Sequence, residues 1–319
     1  MPNGPQLTVV ITSYNRERYI GPAIESVLNS TFADFDLLVL DDCSTDATVE
    51  RARRYADRDP RVRVLVNPRN FGQFGNRNRA IELVTTPFLK YHDSDDLMYP
   101  YCLETMMRLL VEEPRAGFAL SSGKAWAGGP CPMFLTPRMA YEREYLGHGM
   151  FFAGPSGALF RTEVLRSLGG WPDRGVASDY CFWLKACAVT SVVLVPGDLF
   201  WYRLHPGQEF QSPRAACDYA IAHGYAWRAL LSPECPLVDD ALRRAKRNCV
   251  RQLLRLSWRD IRARRWAMVH LRLKSAGIRV FDCLRYPPNS TRNPFAGTPF
   301  DADGDFEVPR WLRTGNDHE

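Results

Sequence analysis

The sequence has no long hydrophobic run and no cysteine pattern, and these absences exclude several classes of protein. The longest strongly apolar run, Ala186 to Pro196, is far shorter than the roughly 20 residues that cross a bilayer. No apolar segment flanked by basic residues opens the chain, so we expect neither a secretory leader nor a membrane-threaded protein. The nine cysteines are odd in number and include no Cys-x-x-Cys pair. This argues against a disulfide framework or a zinc site and fits a reducing compartment.

Internal repeats and the glycine fingerprint of dinucleotide-binding proteins are also missing. No self-similar period of about 20 to 50 residues is visible. The glycines near Asn70 lack Gly-x-Gly-x-x-Gly spacing, which argues against an NAD enzyme. What is present is the composition of a folded protein, with 45% hydrophobic, 12% aromatic and 24% charged residues. The length of 319 residues predicts about two domains.

Positive charge is concentrated toward the C-terminus. Residues 214–285 contain sixteen Lys and Arg against six Asp and Glu, a net charge of +10, whereas the rest of the chain carries −5. A basic region of this kind indicates an anionic partner, such as a membrane surface, a nucleic acid or a phosphorylated substrate. No aromatic or recognition motif accompanies the charge, so nucleic acid is the least favoured of the three.

Short apolar runs alternate with segments of helical spacing over the first 120 residues. This alternation predicts an α/β fold, in which a mostly parallel sheet has helices on its faces. Ligands of such sheets bind beyond the carboxyl ends of the strands, so the polar residues that follow strands are the functional candidates. The predicted strands are 7–12, 35–40, 62–66, 88–91 and 118–121.

The second half of the chain has a less regular pattern. Residues 125–152, rich in Gly, Pro and aromatic residues, predict an ordered active-site loop. A helix is predicted over 178–189, a strand over 192–195 and a further loop over 202–213. Helical spacing with a row of arginines follows. We therefore expect a catalytic domain at 1–213, a basic helical extension at 214–285 and a loosely ordered, Pro- and Asp-rich tail at 286–319.

An acidic motif follows the fourth predicted strand. After His92 come Asp93, Ser94, Asp95 and Asp96. Three carboxylates within four positions repel one another unless a cation lies among them, and Mg²⁺ and Mn²⁺ bind through one or two carboxylates together with phosphate oxygens. The alternative is an Asp-rich turn that caps a helix. The position directly after a strand favours a metal ion with a diphosphate.

Polar side chains also end the first two predicted strands. Asp41 and Asp42 follow the second strand, where carboxylates can accept hydrogen bonds from a nucleobase or a ribose hydroxyl. Thr12, Tyr14 and Asn15 end the first strand, and the Tyr14 ring can stack on a base. The ends of three strands therefore direct polar groups into one crevice.

These motifs, in this order and at these spacings, resemble glycosyltransferase family 2. The resemblance covers about residues 7 to 210 and is carried by residues 9–15 (VVITSYN), 41–46 (DDCSTD), 70–72 (NFG) with Asn78, and 93–96 (DSDD). It implies a GT-A (Rossmann-like) fold and a nucleoside-diphosphate sugar donor, of UDP type. It further implies donor-binding residues at Thr12, Tyr14, Asn15, Asp41, Asp42, Asn78, Asp93, Ser94 and Arg203, a metal site at Asp95, Asp96 and His205, and a sugar and acceptor segment at Pro155, Ser156 and Gly157.

The resemblance also implies which residue is the catalytic base. Gly169-Gly170-Trp171 resembles the turn that precedes the family's catalytic helix, and Asp179 follows Ser178 where the family usually has Glu-Asp. Displacement at an anomeric carbon needs a group that takes the acceptor proton, and a carboxylate can do this. The alternative is an Asp that only favours a helix N-terminus. Residues 202–205 (YRLH) resemble a late element in which Arg or His reaches the diphosphate or the metal, and a structural role for either residue is open.

The sequence therefore predicts an inverting, metal-dependent glycosyltransferase of polysaccharide or glycoconjugate synthesis, with Mn²⁺ or Mg²⁺ as its cofactor. Inversion is implied by the resemblance alone. The expected partners are the sugar donor and a carbohydrate or lipid-linked acceptor, without nucleic acid. The basic helices favour a cytoplasmic enzyme held at the inner face of an anionic membrane, with a solvated face or a homodimer contact as alternatives. A catalytically degenerate sugar-nucleotide-binding protein, acting as a peripheral membrane or assembly partner, is the remaining alternative.

Overall fold

The structure of the protein is a computed structural model that describes residues 4–122, 131–197 and 199–278. The strands are β1 (Leu7–Ser13), β2 (Phe35–Asp41), β3 (Val62–Val66), β4 (Phe88–Asp93), β5 (Leu97–Met98), β6 (Ala116–Ser121), β7 (Met133–Leu135), β8 (Ala158–Arg161), β9 (Ser191–Val195) and β10 (Phe200–Trp201). The helices are α1 (Ile20–Leu28), α2 (Thr48–Ala56), α3 (Gln73–Leu83), α4 (Cys102–Glu112), α5 (Pro137–Leu146), α6 (Thr162–Ser167), α7 (Ser178–Val189), α8 (Pro213–Ala229), α9 (Asp239–Arg262) and α10 (Trp266–Ala276).

Eight of the strands form one mostly parallel sheet in the order β3-β2-β1-β4-β8-β6-β9-β7. β1 pairs in parallel with β2 and β4, whereas β8 runs antiparallel between β4 and β6. The predicted α/β fold is confirmed. The register places Thr12 beside Asp93 and Ser13 beside Asp41. The polar ends of β1, β2 and β4 therefore meet at one edge of the sheet.

The central strands are buried on both faces, as expected of a parallel sheet covered by helices. Because side chains alternate along a strand, Val9 and Ile11 pack into one core with α1 and α4, whereas Val10 packs into a second core with α3 and α7. This second core also contains Trp227 of α8 and Leu253 of α9. The C-terminal helices therefore share their core with the sheet.

The structure corrects the prediction of a continuous loop over residues 125–152. Its described part, residues 131–152, contains the strand β7 and the helix α5. Pro137 occupies the first turn of α5, and Thr136 Oγ1 accepts a hydrogen bond from the Met139 amide. A Thr-Pro pair at a helix start was the local signal for α5. The sequence analysis also does not predict β8 or α6, and residues 123–130 lie outside the described residues.

The basic extension consists of α8, α9 and α10. The 24-residue α9 buries Ala245, Cys249 and Leu253 along the predicted apolar stripe. Within the described part of the chain, none of the helices is both long enough and apolar enough to span a membrane. The predicted tail at 286–319 lies outside the described residues.

Candidate active site

Buried carboxylates tie together the loops that follow β1 and β2. Asp41 is fully buried and accepts hydrogen bonds from Ser13 Oγ at 2.9 Å and from the Ser44 amide and hydroxyl at 2.7 and 2.6 Å. Asn15 has a φ of +50°, and its side-chain oxygen accepts from the Thr45 amide at 2.9 Å. The predicted donor residues Asp41 and Asn15 therefore fix the shape of these two loops.

Asp42 ties the second loop to the loop before α3. Its carboxylate is buried and accepts from Asn67 Nδ2 at 2.8 Å and from the amides of Phe71 and Gly72 at 2.9 and 2.8 Å. Protein donors thus already bind its oxygens, and donor contact by Asp42 stays a prediction. By contrast, Tyr14 is 44% exposed, so its ring is open to a base.

Asn78 holds the turn that precedes α7. Its Nδ2 donates to the Trp171 carbonyl at 2.8 Å, and its Oδ1 accepts from the Trp171 amide at 2.7 Å. Gly170 has a φ of +72°, and a Cβ there would press against the Asn78 amide. Asn78 is therefore a positioning residue here, because both ends of its side chain are bound to this turn.

Arg77 is a functional candidate that the sequence analysis misses. Its buried guanidinium pairs with Asp93 at 2.5 Å, while its Nε is buried without a hydrogen-bond partner among the described residues. The Asp93 amide donates to Ser156 Oγ at 2.8 Å. Burial raises the pKa of Asp93, but the Arg77 charge and the hydrogen bonds with Ser156 and Arg77 outweigh it, so the pKa lies below its usual value. Arg77 therefore combines a fixed anion partner with a spare donor.

Asp95 and His205 meet at the acidic motif. His205 Nε2 lies 3.0 Å from Asp95 Oδ2, and Arg16 Nε donates to the same oxygen at 3.1 Å. His205 Nδ1 lies 2.9 Å from the Pro206 carbonyl, so both ring nitrogens face oxygen acceptors and a neutral ring donates to only one of them. The ring also stacks on Tyr19, with 4.7 Å between ring centroids. A nitrogen and an oxygen ligand thus face each other.

Asp96 has a different environment from Asp95. It is 1% exposed, and its Oδ1 accepts from the Arg203 amide at 3.0 Å. Burial, with the charge of Asp93 added, raises the pKa of Asp96 to about 8. Within residues 4–122, 131–197 and 199–278, no set of three His, Cys, Asp or Glu side chains is placed to hold a metal. A metal role for Asp96 stays a prediction.

Arg203 lies across the acidic motif. Its Nε donates to the Asp95 carbonyl at 2.8 Å, and its guanidinium lies 4.7 Å from the centre of the Trp201 ring. Ser94, between the acidic residues, is buried. His92 is fully buried inside β4, which extends two residues past the predicted strand, and burial with the nearby Lys90 charge lowers the pKa of His92 to about 3. The motif that is available to a ligand therefore begins at Asp93.

The predicted sugar and acceptor segment forms a buried 3-10 turn, Pro155–Gly157. Lys90 Nζ donates to the Ser156 carbonyl at 2.5 Å. Gly157 has no room for a side chain, because the Ser121 carbonyl lies 2.7 Å from where a Cβ would be. The segment is therefore fixed against β4 and β6.

Asp179 lies in the first turn of α7, at the predicted helix start. Burial, and to a smaller extent the Asp93 charge, raise the pKa of Asp179. The Tyr180 amide, which donates to Asp179 Oδ1 at 2.6 Å, and the Arg77 charge lower it, and the resulting pKa is about 7. These interactions locate Asp179 at the same edge as Arg77 and Asp93. A carboxylate whose pKa is near neutral can accept a proton from a hydroxyl group.

A second turn, residues 174–177, lies directly before α7 and is held by hydrogen bonds from Ser178 and from α8. Ser178 Oγ accepts from the Arg174 amide and donates to the Gly175 carbonyl, both at 2.7 Å. Asp218 of α8 accepts from the Val176 amide at 3.0 Å. Gly175 has a φ of +63°, and a Cβ there would overlap the Asp218 carboxylate. Ser178, which stands where the family usually has Glu, is thus part of the turn that orients Asp179.

Comparison with known proteins identifies the family. Residues 8–169 match the family model described as Glycosyl transferase family 2. The chain belongs to this family. An uncharacterized glycosyltransferase of Haemophilus influenzae is 24% identical over 228 residues, covering 65% of this chain and 68% of that protein. The chain spans only 24% to 40% of the length of three further curated relatives.

Solved structures of other proteins have the same fold. S. aureus TarS in complex with UDP-GlcNAc matches with a TM-score of 0.58 at 20% identity, over 77% of this chain and 70% of that one. The mannosyltransferase PcManGT from Pyrobaculum calidifontis, in complex with GDP-Man and Mn²⁺, matches with a TM-score of 0.57 at 17% identity, over 86% and 87%. At these identities the likeness establishes the GT-A fold of this family 2 glycosyltransferase and no more.

The structure brings several of the predicted site residues together, while their roles stay predictions. His205 and Arg203 contact Asp95, and the charges of Arg77 and Asp93 act on Asp179. Two further contributors, Arg77 and Asp218, are not predicted from the sequence. Arg77 could have been found because it precedes Asn78 within a recognised motif, whereas no local signal marks Asp218.

Proposed function

We propose that this glycosyltransferase transfers a sugar, with inversion, from a nucleoside-diphosphate donor of UDP type to an acceptor hydroxyl. The observation that carries the proposal is Asp179, a carboxylate at the start of α7 whose pKa burial raises to about 7. A base is most effective when its pKa lies near the working pH. Asp179 is therefore suited to take the proton of a hydroxyl at neutral pH.

The residues at the acidic motif fit a divalent ion. Asp95 Oδ2 and His205 Nε2 lie 3.0 Å apart, and the tautomer that donates from Nδ1 to the Pro206 carbonyl has a lone pair on Nε2 for a metal ion. Two protein ligands, with diphosphate oxygens as the others, suit Mn²⁺ or Mg²⁺. When bound, such an ion acts as a Lewis acid that neutralises the charge of the leaving diphosphate. Asp95 and His205 are the residues that would hold it.

Donor binding is assigned to the edge formed by β1, β2 and β4. Tyr14 offers an exposed ring for the base, and hydrogen bonds of Asp41 and Asp42 fix the shape of the loops at this edge. Arg77 has a spare Nε–H donor and Arg203 a guanidinium, both suited to phosphate oxygens. Loops that hydrogen bonds already fix can bind a ligand without the cost of ordering them.

We infer the following reaction for these residues. The carboxylate of Asp179 takes the proton of the acceptor hydroxyl, and the oxygen attacks the anomeric carbon. The bond between that carbon and the diphosphate breaks, and its electron pair leaves with the diphosphate. Attack from the face opposite the leaving group inverts the anomeric centre. The product belongs to polysaccharide or glycoconjugate synthesis, and the basic helices favour peripheral contact with an anionic membrane.

The test measures donor turnover and nucleotide binding in parallel. Hydrolysis of a panel of nucleotide sugars is measured with Mn²⁺ for the wild type, for Asp179→Asn and for Glu163→Gln. Glu163 is the control, because its side chain lies in an exposed position on α6. We expect UDP with Mn²⁺ to bind all three equally, and turnover to fall about 10²- to 10⁴-fold in Asp179→Asn alone. Nucleotide binding without turnover in the wild type would support the degenerate binding protein instead. Unchanged turnover in Asp179→Asn would show that another group is the base.

A further inference from the structure

A cavity of about 300 Å³ lies between the C-terminal helices and the start of α7. We call it the C-terminal cavity and define it by its lining residues on α8, α9 and α10 together with Phe152 and Tyr180. Its volume lies at the lower end of the range of about 300–1,000 Å³ that is typical of small-molecule pockets. Most of its wall is apolar, including Ala216, Ala220, Leu253, Leu256 and Met268. The cavity can therefore take a hydrocarbon group.

Arginines form the polar part of the same wall. Arg255, Arg259, Arg265 and Arg272 line the cavity, with Asp260 as the acidic lining residue. Asp260 pairs with Arg265 at 2.7 Å and with Arg272 at 2.6 Å. Four cations against one carboxylate leave a positive wall that attracts an anion.

Two observations show that part of this charge is unanswered within the protein. Arg272 is 4% exposed, and its Nε is buried with no hydrogen-bond partner in the part of the chain that the structure describes. Among those same residues, no carboxylate forms an ion pair with Arg255 or Arg259, whose side chains are exposed to solvent and open to a ligand. A buried donor without a partner is costly unless a ligand supplies the acceptor. An anionic group bound beside Arg272 would supply it.

The cavity shares walls with the candidate active site. Tyr180 follows Asp179, and Phe152, which stacks on Tyr180 with 4.8 Å between centroids, lies just before the Pro155–Gly157 segment. Burial raises the pKa of the Tyr219 phenol, and the charge of Asp179 raises it further, so this wall residue is close to the proposed base. A ligand in the cavity would therefore extend toward the acceptor side of the site.

Two exposed tryptophans are sequence neighbours of arginines that line the cavity. Trp258 on α9 and Trp266 at the start of α10 are each 62% exposed, and they are the sequence neighbours of the lining residues Arg259 and Arg265. Tryptophan beside arginine is typical of surfaces that lie in the headgroup layer of a membrane. This arrangement indicates a lipid rather than a free phosphate as the source of the anion.

We propose that the C-terminal cavity binds the lipid-phosphate end of a lipid-linked acceptor. The hydrocarbon lies against the alanine, leucine and methionine wall, and the phosphate pairs with Arg259 and Arg272. Only the identification of this lipid as the sugar acceptor rests on the proposed function, because binding of a lipid phosphate requires neither donor nor turnover. The cavity thereby narrows the acceptor class from any hydroxyl compound to one carried on a phosphorylated lipid.

The test is isothermal titration calorimetry of the full chain with dodecyl phosphate below its micelle concentration. Dodecyl maltoside and inorganic phosphate serve as probes for the apolar and the anionic part alone. We expect dodecyl phosphate to bind and each partial probe to bind at least about tenfold more weakly. Equal binding of dodecyl phosphate and inorganic phosphate would overturn the lipid assignment, and absence of dodecyl phosphate binding would overturn the proposal.

Variants locate the binding. Arg259→Gln is expected to weaken dodecyl phosphate about fivefold to tenfold, whereas Arg247→Gln, an equal loss of charge at an exposed position of α9 outside the cavity, leaves it unchanged. Leu256→Trp, which fills the apolar wall, is expected to abolish binding, with thermal unfolding as the check that the variant folds. Equal effects of Arg259→Gln and Arg247→Gln would show that only overall charge attracts the lipid and would overturn the cavity assignment.

A second measurement does not depend on variants. Dodecyl phosphate with a terminal diazirine is crosslinked by light, and the modified peptides are identified by mass spectrometry. We expect modification within residues 216–226 and 249–272, and modification confined to other segments would overturn the proposal. Because neither measurement uses a nucleotide, a protein that binds the lipid but transfers no sugar contradicts the proposed function and leaves this site intact.

Discussion

The loops after β1, β2 and β4 hold their carboxylates by short hydrogen bonds, whereas the C-terminal cavity is lined by small apolar side chains with arginines beside them. We call the loops after β1, β2 and β4 the nucleotide side, because we propose that the donor binds there. On this side, Asp41 and Asp42 each accept hydrogen bonds from three protein donors. On the cavity side, Arg255 and Arg259 have no ion pair among the described residues. The carboxylates of the nucleotide side therefore have protein partners without a ligand, whereas these two exposed arginines are paired only with solvent or with a ligand. If the two proposed sites bind as we infer, this difference means that donor recognition is preformed, whereas the acceptor supplies part of its own site.

The largest expected effect concerns the stability of the nucleotide side. Asp42→Ala removes the charged acceptor of one buried and two partly buried N–H donors, so we expect the free energy of unfolding to fall by about 3–5 kcal/mol. Leu256→Ala in the cavity wall is expected to cost about 1–2 kcal/mol, because this side chain is only half-buried. Urea denaturation measures both. A larger loss for Leu256→Ala than for Asp42→Ala would reverse the comparison.

A smaller effect is expected where the two sides join, at the turn before α7. Gly175→Ala adds a Cβ at a φ of +63° against Asp218, so we expect a loss of about 2–3 kcal/mol together with reduced turnover. Gly207→Ala is the matched control, since Gly207 has a φ of +84° but no atom within 4 Å of the added Cβ. Its expected cost is about 1 kcal/mol, from the backbone alone. Equal losses in the two variants would show that α8 does not position the turn.

The pH dependence of turnover tests the base directly. Because burial raises the pKa of Asp179 to about 7 and the base must be deprotonated, activity should rise with pH and reach a plateau above about 7. Below that value, kcat/KM should fall by about tenfold per pH unit. Asp179→Glu should shift the pH range over which kcat/KM falls. A flat profile between about pH 5 and pH 8 would contradict the assignment of Asp179.

The smallest expected effect concerns the exposed ring of Tyr14 on the nucleotide side. Tyr14→Ala should weaken nucleotide binding by about 1 kcal/mol, or roughly fivefold, because a base loses its stacking surface. Tyr14→Phe keeps the ring and should bind as the wild type does. Calorimetry with UDP measures both variants. If Tyr14→Phe lost as much affinity as Tyr14→Ala, the phenol hydroxyl rather than the ring would be the contact.

The sequence predicts which polar residues lie together at this edge of the sheet, because each of them follows a strand within a short motif, and their roles in donor binding stay predictions. Asp93, Asp95 and Thr12 are found in this way, since parallel neighbouring strands must bring their carboxyl ends together. The strands near them differ from prediction by two residues at most. Polarity after an apolar run is a local signal, and it is readable without the fold.

The cavity side is not predicted, because packing between distant segments creates it. Asp218 reaches Val176 across 42 residues, and the helix α5, which completes the same core, replaces a predicted loop. The arginine row of α9 is visible in the sequence, but which of its members line a cavity depends on the angle at which α8 and α10 cross it. Hydrophobic spacing specifies a buried face and leaves its partner open.

The most direct test of the account is the effect of Mn²⁺ on the affinity for UDP. Calorimetry compares the wild type, Asp95→Ala, His205→Ala and the exposed control Asp34→Ala, each with Mn²⁺ and with EDTA. The account predicts that Mn²⁺ raises the affinity of the wild type and of Asp34→Ala by at least about tenfold, and that each of the two other variants loses this gain. An affinity for UDP that Mn²⁺ leaves unchanged in the wild type, or raises equally in all four proteins, would contradict it.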